Sequence, residues 1–257
     1  MIKVTDKTQN ITGYWGPVDT TTTFCEAHYS FSPYFAEFFN AWTSVIYVIV
    51  GAYLIRKFRR DTWVTIAALW LIVIGGGSFA FHATMRYSMQ LLDELPMLGF
   101  IHAVIVTKTL SKDHKWIVKY ATYIQILTTL QAAVLVTLYL YFKYYQIFVD
   151  GFTLLCLQDA VLGYLLNSSG SHLEMKRTVL LASVTSIVIG KVMWEVENHL
   201  CGNYQAIVWP LHMLWHFFSA SSAYNTSIFL YLCRIGENDK IPALVGYNRK
   251  ESKAKAQ

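Results

Sequence analysis

The chain has 257 residues, 54% of them hydrophobic and only 14% charged, against about 25% charged in soluble domains. That balance excludes an ordinary soluble domain and points to the lipid bilayer as solvent. The formal net charge of +5 sits in short clusters beside apolar runs. No zinc-finger, basic-helix or arginine-rich signature accompanies it, so it predicts a cytosolic membrane flank and no nucleic-acid partner.

Residues 1–37 are polar and aromatic and lack the apolar core of a cleavable signal peptide, which leaves the first spanning helix as the insertion signal. The stretch FCEAHYSFSPYFAEF, rich in aromatics, Glu and His, reads as ordered and packed on one membrane face. Uncharged runs at 62–85, 120–142 and 200–233 each exceed the roughly 20 residues that a spanning helix needs. Seven helices are predicted. The first, 38–55, stops at RKFRRD, and the second, 62–84, contains the Gly75, Gly76, Gly77 run that permits close helix contact or a kink. The third is 91–109, followed by the basic loop SKDHKW and the fourth at 118–141. The fifth, 147–166, is interrupted by Asp150 and Asp159, which read as helix-packing partners. The sixth, 178–198, carries Lys191, Glu195 and Glu197, which read as an internal ion-pair network, and the seventh, 206–232, includes Pro210. The expected fold class is an all-α integral membrane bundle of seven transmembrane helices over 38–233. A lumenal segment (1–37) precedes it and a cytosolic tail (234–257) follows.

Charge sets the orientation. Sixteen of the 21 Lys and Arg fall on one side, in 56–60, 108–119, Lys176, Arg177 and the tail, whereas Lys3, Lys7, Arg86 and Lys143 fall on the other. The amino terminus is therefore expected to be lumenal or extracellular and the carboxyl terminus cytosolic. The triplet Asn10-Ile11-Thr12 is then a glycosylation acceptor on the correct side, and the Asn167 triplet lies on the wrong one. Cys25 and Cys201 both fall in non-cytosolic segments, Cys201 between the last two helices, where an oxidising compartment permits a bridge; two free thiols are the alternative. Cys156 and Cys233 read as small apolar fillers.

The chemistry gathers around GGGSFAFHATMRYSMQLLDELPM. An ionisable group at the rim of a lipid-buried stretch is expensive and marks function. His82 lies near the lumenal end of the second helix, Asp93 and Glu94 open the third on the same side, and HMLWH sets His212 and His216 four apart on one face of the seventh. Three neutral imidazoles with an open position are a catalytic zinc arrangement, able to lower the pKa of bound water to about 7. Paired interfacial histidines more often bond backbone or headgroups; the third imidazole at matching depth, beside Ser78 and Asp93, brings the metal reading level with that one. His102, His114, His172 and His199 lack such company.

Three blocks, GYWGPVDTTTTFCEAHY with SPYFAEFFN, the glycine-histidine stretch above, and LHMLWHFFSASSAY, resemble the alkaline ceramidase family, and the likeness covers the chain through the seventh helix. The resemblance implies a seven-helix fold shared with adiponectin and progestin receptors, and hydrolysis of the N-acyl bond of ceramides in an endoplasmic reticulum or Golgi membrane. It implies zinc on His82, His212 and His216, oxyanion stabilisation by Ser78, proton transfer by Asp93, and a Cys25–Cys201 bridge. It also implies a calcium site on Thr23, the Phe24 carbonyl, Glu26, His28 and Glu37. Here the chain departs, with Thr23 for the family's Asp, Phe24 for Trp and His28 for Asn, so the calcium site is expected to be weakened. The partners are ceramide and the bilayer, and no protein partner is inferable. A lipid-sensing receptor on the same metal scaffold and a catalytically impaired homologue are the competing readings, and the short cytosolic loops weigh against the first.

Overall fold

The computed structural model describes residues 12–168, 170–236, 239 and 241–244. Asn10 and most of the tail lie outside the described residues. A two-residue-per-strand antiparallel hairpin, β1 (Thr12–Gly13) with β2 (Gly16–Pro17), precedes eight helical segments. These are α1 (Phe38–Thr43), α2 (Val45–Phe58), α3 (Thr62–Thr84), α4 (Tyr87–Lys108), α5 (Lys115–Phe142), α6 (Tyr145–Leu166), α7 (Leu173–Val208) and α8 (Leu211–Leu232). α1 and α2 are halves of one rod, Phe38–Phe58, so the described residues form an all-α fold of seven helices.

Six of the seven are long and apolar enough to cross a membrane. α8 matches them in length but carries Ser219, Ser221, Ser222, Asn225, Thr226 and Ser227. It packs against α2, α3, α4 and α7 and is buried along most of its length. Its solvent is therefore protein, and its hydroxyls find partners there, as Ser222 (3.0 Å) and Thr226 (2.7 Å) do with Ser183 of α7. α5 is the opposite case: Tyr123, Ile126, Leu127, Leu130 and Val134 are exposed and present an apolar face suited to lipid.

Several boundaries differ from the sequence expectation. α4 begins four residues early, because Met85 in the left-handed region ends α3 and leaves a two-residue turn. α6 is continuous through Asp150 and Asp159; Asp159 pairs with Lys108 of α4 at 2.6 Å, while Asp150 accepts from Gln146 at the surface. α7 runs ten residues beyond the predicted end, through a kink at Tyr204, and stops before Pro210. Cys201 is accordingly on a helix and not in a loop.

The crossing of α3 and α4 positions the chemistry. Pro96 has no N–H to give the Leu92 carbonyl. At that carbonyl α3 places Gly77, where a Cβ would lie 2.2 Å from the Leu92 oxygen. The backbones can approach because the side chain is absent, which sets Ser78 and Asp93 side by side. Two residues earlier, on the other side of α3, Gly75 faces Val48 and the Ser44 carbonyl of the first rod.

Candidate metal centre

His82 closes the last turns of α3, and His212 and His216 occupy the first two turns of α8. All three are buried, with ring centroids 4.7 to 5.2 Å apart. One nitrogen from each lies within 4.8 Å of the others, and among the described residues no other group of His, Cys, Asp and Glu has this arrangement.

Each ring is aimed from behind. Nδ1 of His82 lies 2.7 Å from Oε2 of Glu37. Nδ1 of His216 lies 2.9 Å from the Thr43 hydroxyl, which donates onward to the Phe39 carbonyl at 2.9 Å and so accepts from the ring. Nδ1 of His212 faces Oε2 of Glu197 at 3.3 Å. With the Nδ1 atoms directed outward, Nε2 is the free donor atom of each ring, and Nε2 of His82 is buried with no hydrogen-bond partner among the described residues. Such an orphan is costly in a protein interior. Three inward imidazole donors with oriented outer partners fit a tetrahedral zinc site with one open position.

Ser78 and Asp93 are brought to the same place. The Ser78 hydroxyl bonds the Asp93 carboxyl and lies 3.0 Å from Ser44 Oγ. Both line a cavity of about 330 Å³ with Phe24, Glu94, His212 and His216. Tyr47, Met97 and Trp215 wall both this space and a larger one of about 650 Å³, which is apolar over Leu71, Phe100 and Phe152. The chamber that brings Ser78 and Asp93 to two of the imidazoles therefore lies beside a larger apolar space and shares walls with it.

The five residues of the implied calcium site lie nearby, but their carboxylates have other partners. Glu26 accepts the Phe39 and Asn40 amides at 2.7 and 2.8 Å, satisfying the open start of α1. Burial pushes its carboxyl above the ordinary range, against the pull of those two amides. Glu37 receives the Phe24 amide, His28 (3.2 Å), His82 and Asn40. Burial alone would raise it, but the hydrogen bonds from His28 and His82 outweigh that and hold it well below the ordinary carboxylate range. Burial likewise depresses His28, yet its bond to Glu37 prevails and leaves it above its ordinary value. Thr23 is half-buried, and the Phe24 ring lies against His212 with centroids 3.7 Å apart.

Lys191 pairs with Glu195 at 2.5 Å, and Glu197 stands apart from them beside His212, so the expected three-residue ion-pair network is two residues. His102 bonds Thr129 and His172 bonds the Gly236 carbonyl, both away from the centre. Sequence reasoning missed Thr43, Glu197 as an imidazole partner, and Tyr139 and Gln90 as the donors to Glu94. Glu197 gave a signal, being a carboxylate at the matching depth; Thr43 gave none.

A family model described as Ceramidase matches residues 16–252. The chain is 25% identical to the alkaline ceramidase of Arabidopsis thaliana over 246 residues, covering 92% of this chain and 93% of that protein. It is 27% identical to alkaline ceramidase 3 of Mus musculus over 239 residues, covering 84% and 85%. With the alkaline ceramidase of Drosophila melanogaster it shares 26% over 228 residues, covering 82% and 75%.

Proposed function

The chain belongs to the alkaline ceramidase family, and from that premise we propose that it hydrolyses the N-acyl amide bond of ceramides, releasing a sphingoid base and a free fatty acid. The observation that carries the proposal is the meeting, in one cavity, of inward-facing imidazoles with the Ser78–Asp93 pair.

His82, His212 and His216 would hold zinc, which when bound supplies a Lewis acid and a water acidic enough to act as a nucleophile near neutral pH. Asp93 takes the proton from the attacking water as the acyl C–O bond forms. Ser78 donates its hydroxyl to the oxygen on which negative charge develops. Asp93 returns the proton to the nitrogen as the C–N bond breaks, so the sphingoid base leaves as an amine and the acyl group as a carboxylic acid. The apolar space beyond Met97 and Trp215 accommodates the acyl chain, whose burial contributes about 25 cal/mol per Å².

The site sits in an endoplasmic reticulum or Golgi membrane at the lumenal ends of the helices, with residues 1–37 lumenal and 234–257 cytosolic. Supporting this are the 16-to-4 distribution of Lys and Arg and the bridge between Cys25 and Cys201. Calcium binds weakly: Thr23 brings no charge, the His28 imidazole is a poor calcium ligand, and the Glu26 and Glu37 oxygens already receive other donors.

The test is release of sphingoid base from ceramide by the purified protein in detergent, before and after zinc chelation and on zinc re-addition. Release that chelation abolishes and zinc restores is the expected result. No base from a zinc-loaded, folded protein across a panel of ceramides would overturn the proposal.

A further inference from the structure

We propose that Glu197 is a positioning residue for His212 and that the Cys25–Cys201 disulfide holds it in place, making the bridge and the metal centre one mechanical unit. This rests on the reading of the three histidines as a metal site.

Glu197 is buried in α7, and its two oxygens have separate partners. Oε1 accepts the Cys25 amide at 2.9 Å. Oε2 lies 3.3 Å from Nδ1 of His212, and neither of those two buried atoms has a hydrogen-bond partner among the described residues. A buried donor and a buried acceptor left unpaired are each costly, and at 3.3 Å a small rotation of either side chain lets each satisfy the other. With Nδ1–H directed to the carboxylate, Nε2 keeps its lone pair for a metal, and the negative partner makes the imidazole a stronger ligand. Lys191 offers Glu197 no alternative partner, since it is paired with Glu195.

Glu197, Cys201 and Gln205 stand at successive spacings of four along one face of α7, and all three hold residue 25. Glu197 takes its amide, Cys201 its sulfur, and Gln205 donates to its carbonyl at 2.9 Å. The neighbouring Phe24 ring lies on His212. Without the bridge, what remains of these three ties to residue 25 is the hydrogen bonds of Glu197 and Gln205. Departure of residue 25 removes the donor that fixes Oε1, and the carboxylate becomes free to rotate away from His212.

The test uses the full-length protein in detergent and reads metal binding rather than turnover. Zinc affinity is measured by chelator competition, and the cobalt-loaded absorption spectrum reports the ligand field. The variants are Glu197→Gln, the Cys25→Ala/Cys201→Ala pair, and the combination of all three. Glu197→Gln keeps the volume and the Cys25 hydrogen bond but removes the charge; it should weaken zinc binding by about 10–100-fold and shift the cobalt spectrum. The cysteine pair should move both readouts in the same direction, and the combined variant should bind zinc no more weakly than Glu197→Gln does. Wild-type affinity and spectrum in Glu197→Gln would overturn the positioning role, and fully multiplicative effects would overturn the coupling to the bridge. If Glu197→Gln does not fold, Glu197→Asp, which withdraws the charge by one methylene, is read by the same criteria. A wild type that binds no zinc defeats this proposal together with the metal reading. Glu197-dependent zinc binding without ceramide cleavage defeats the proposed function alone.

Discussion

At the scale of single residues, the centre separates groups that would hold a metal from groups that would move protons. Replacing His82, His212 or His216 by Ala should remove most bound zinc and nearly all turnover, because three donors leave no redundancy. Stoichiometric zinc in any purified single variant would contradict that assignment. Asp93→Asn should retain zinc and lose about 10²–10⁴-fold in rate, the usual contribution of a positioned acid–base group. Ser78→Ala should lose about 10²–10³-fold with the metal in place, as for one oxyanion donor. Undiminished rates would reduce the pair to a hydrogen bond that packs α3 on α4. The residues before α1 give a second kind of test. Thr23→Asp with His28→Asn restores a carboxylate and removes an imidazole, so the double variant should bind calcium more tightly than the wild type and be stimulated more by it. Calcium titration of activity and thermal stability decides the matter; equal or tighter binding by the wild type would show the charge argument to be wrong.

Among the elements, the α3–α4 crossing is the joint on which the proton-transfer pair depends. Its glycines are not equivalent. A Cβ at Gly77 would lie 2.2 Å from the Leu92 oxygen, whereas one at Gly76 meets nothing within 4 Å. Gly77→Ala must therefore push α4 outward and carry Asp93 away from Ser78, at an overpacking cost of about 1–3 kcal/mol. Gly76→Ala should leave both stability and activity close to wild type. Thermal unfolding and activity measured on the two proteins side by side test this, and equal behaviour would mean that the crossing is looser than its geometry. The carbonyl approached there is the one that Pro96 leaves without its helical hydrogen bond.

For the molecule as a whole, the distribution of charge and the placement of the site make one topological statement. If the amino terminus is lumenal, Asn10 is open to glycosylation in cells and Asn167 is not. The native protein should shift on a gel after endoglycosidase treatment, the shift should vanish in Asn10→Gln and persist in Asn167→Gln. The reverse pattern would invert the bundle and set the site at the opposite face. Six of the helices are apolar enough to face lipid, and the seventh, packed on the first rod, α3, α4 and α7, does not have to. That division lets α8 combine two imidazoles with a row of hydroxyls that would be expensive on a lipid-exposed helix.

The sequence by itself determined the membrane class, the number of helices, and the set of ionisable groups that share one depth. Those properties are additive along the chain: hydropathy sums over a window, and helical rise converts residue number into depth. It also placed Cys25 and Cys201 on one side, so that their bridge was open to expectation. The tertiary structure alone decided which group stands behind each imidazole. Glu37 and His82 are 45 residues apart and Thr43 and His216 173, and Glu197, behind His212, is held by Cys25 from 172 residues away. Pairings at such separations depend on helix rotation and on which backbones can approach, which composition does not encode. The same reason moved the end of α7, since Cys201 belongs to the helix that presents Glu197. It also gave Glu26 and Glu37 to the start of α1 and to His82, partners that a carboxylate takes up according to which donors folding brings within about 3 Å.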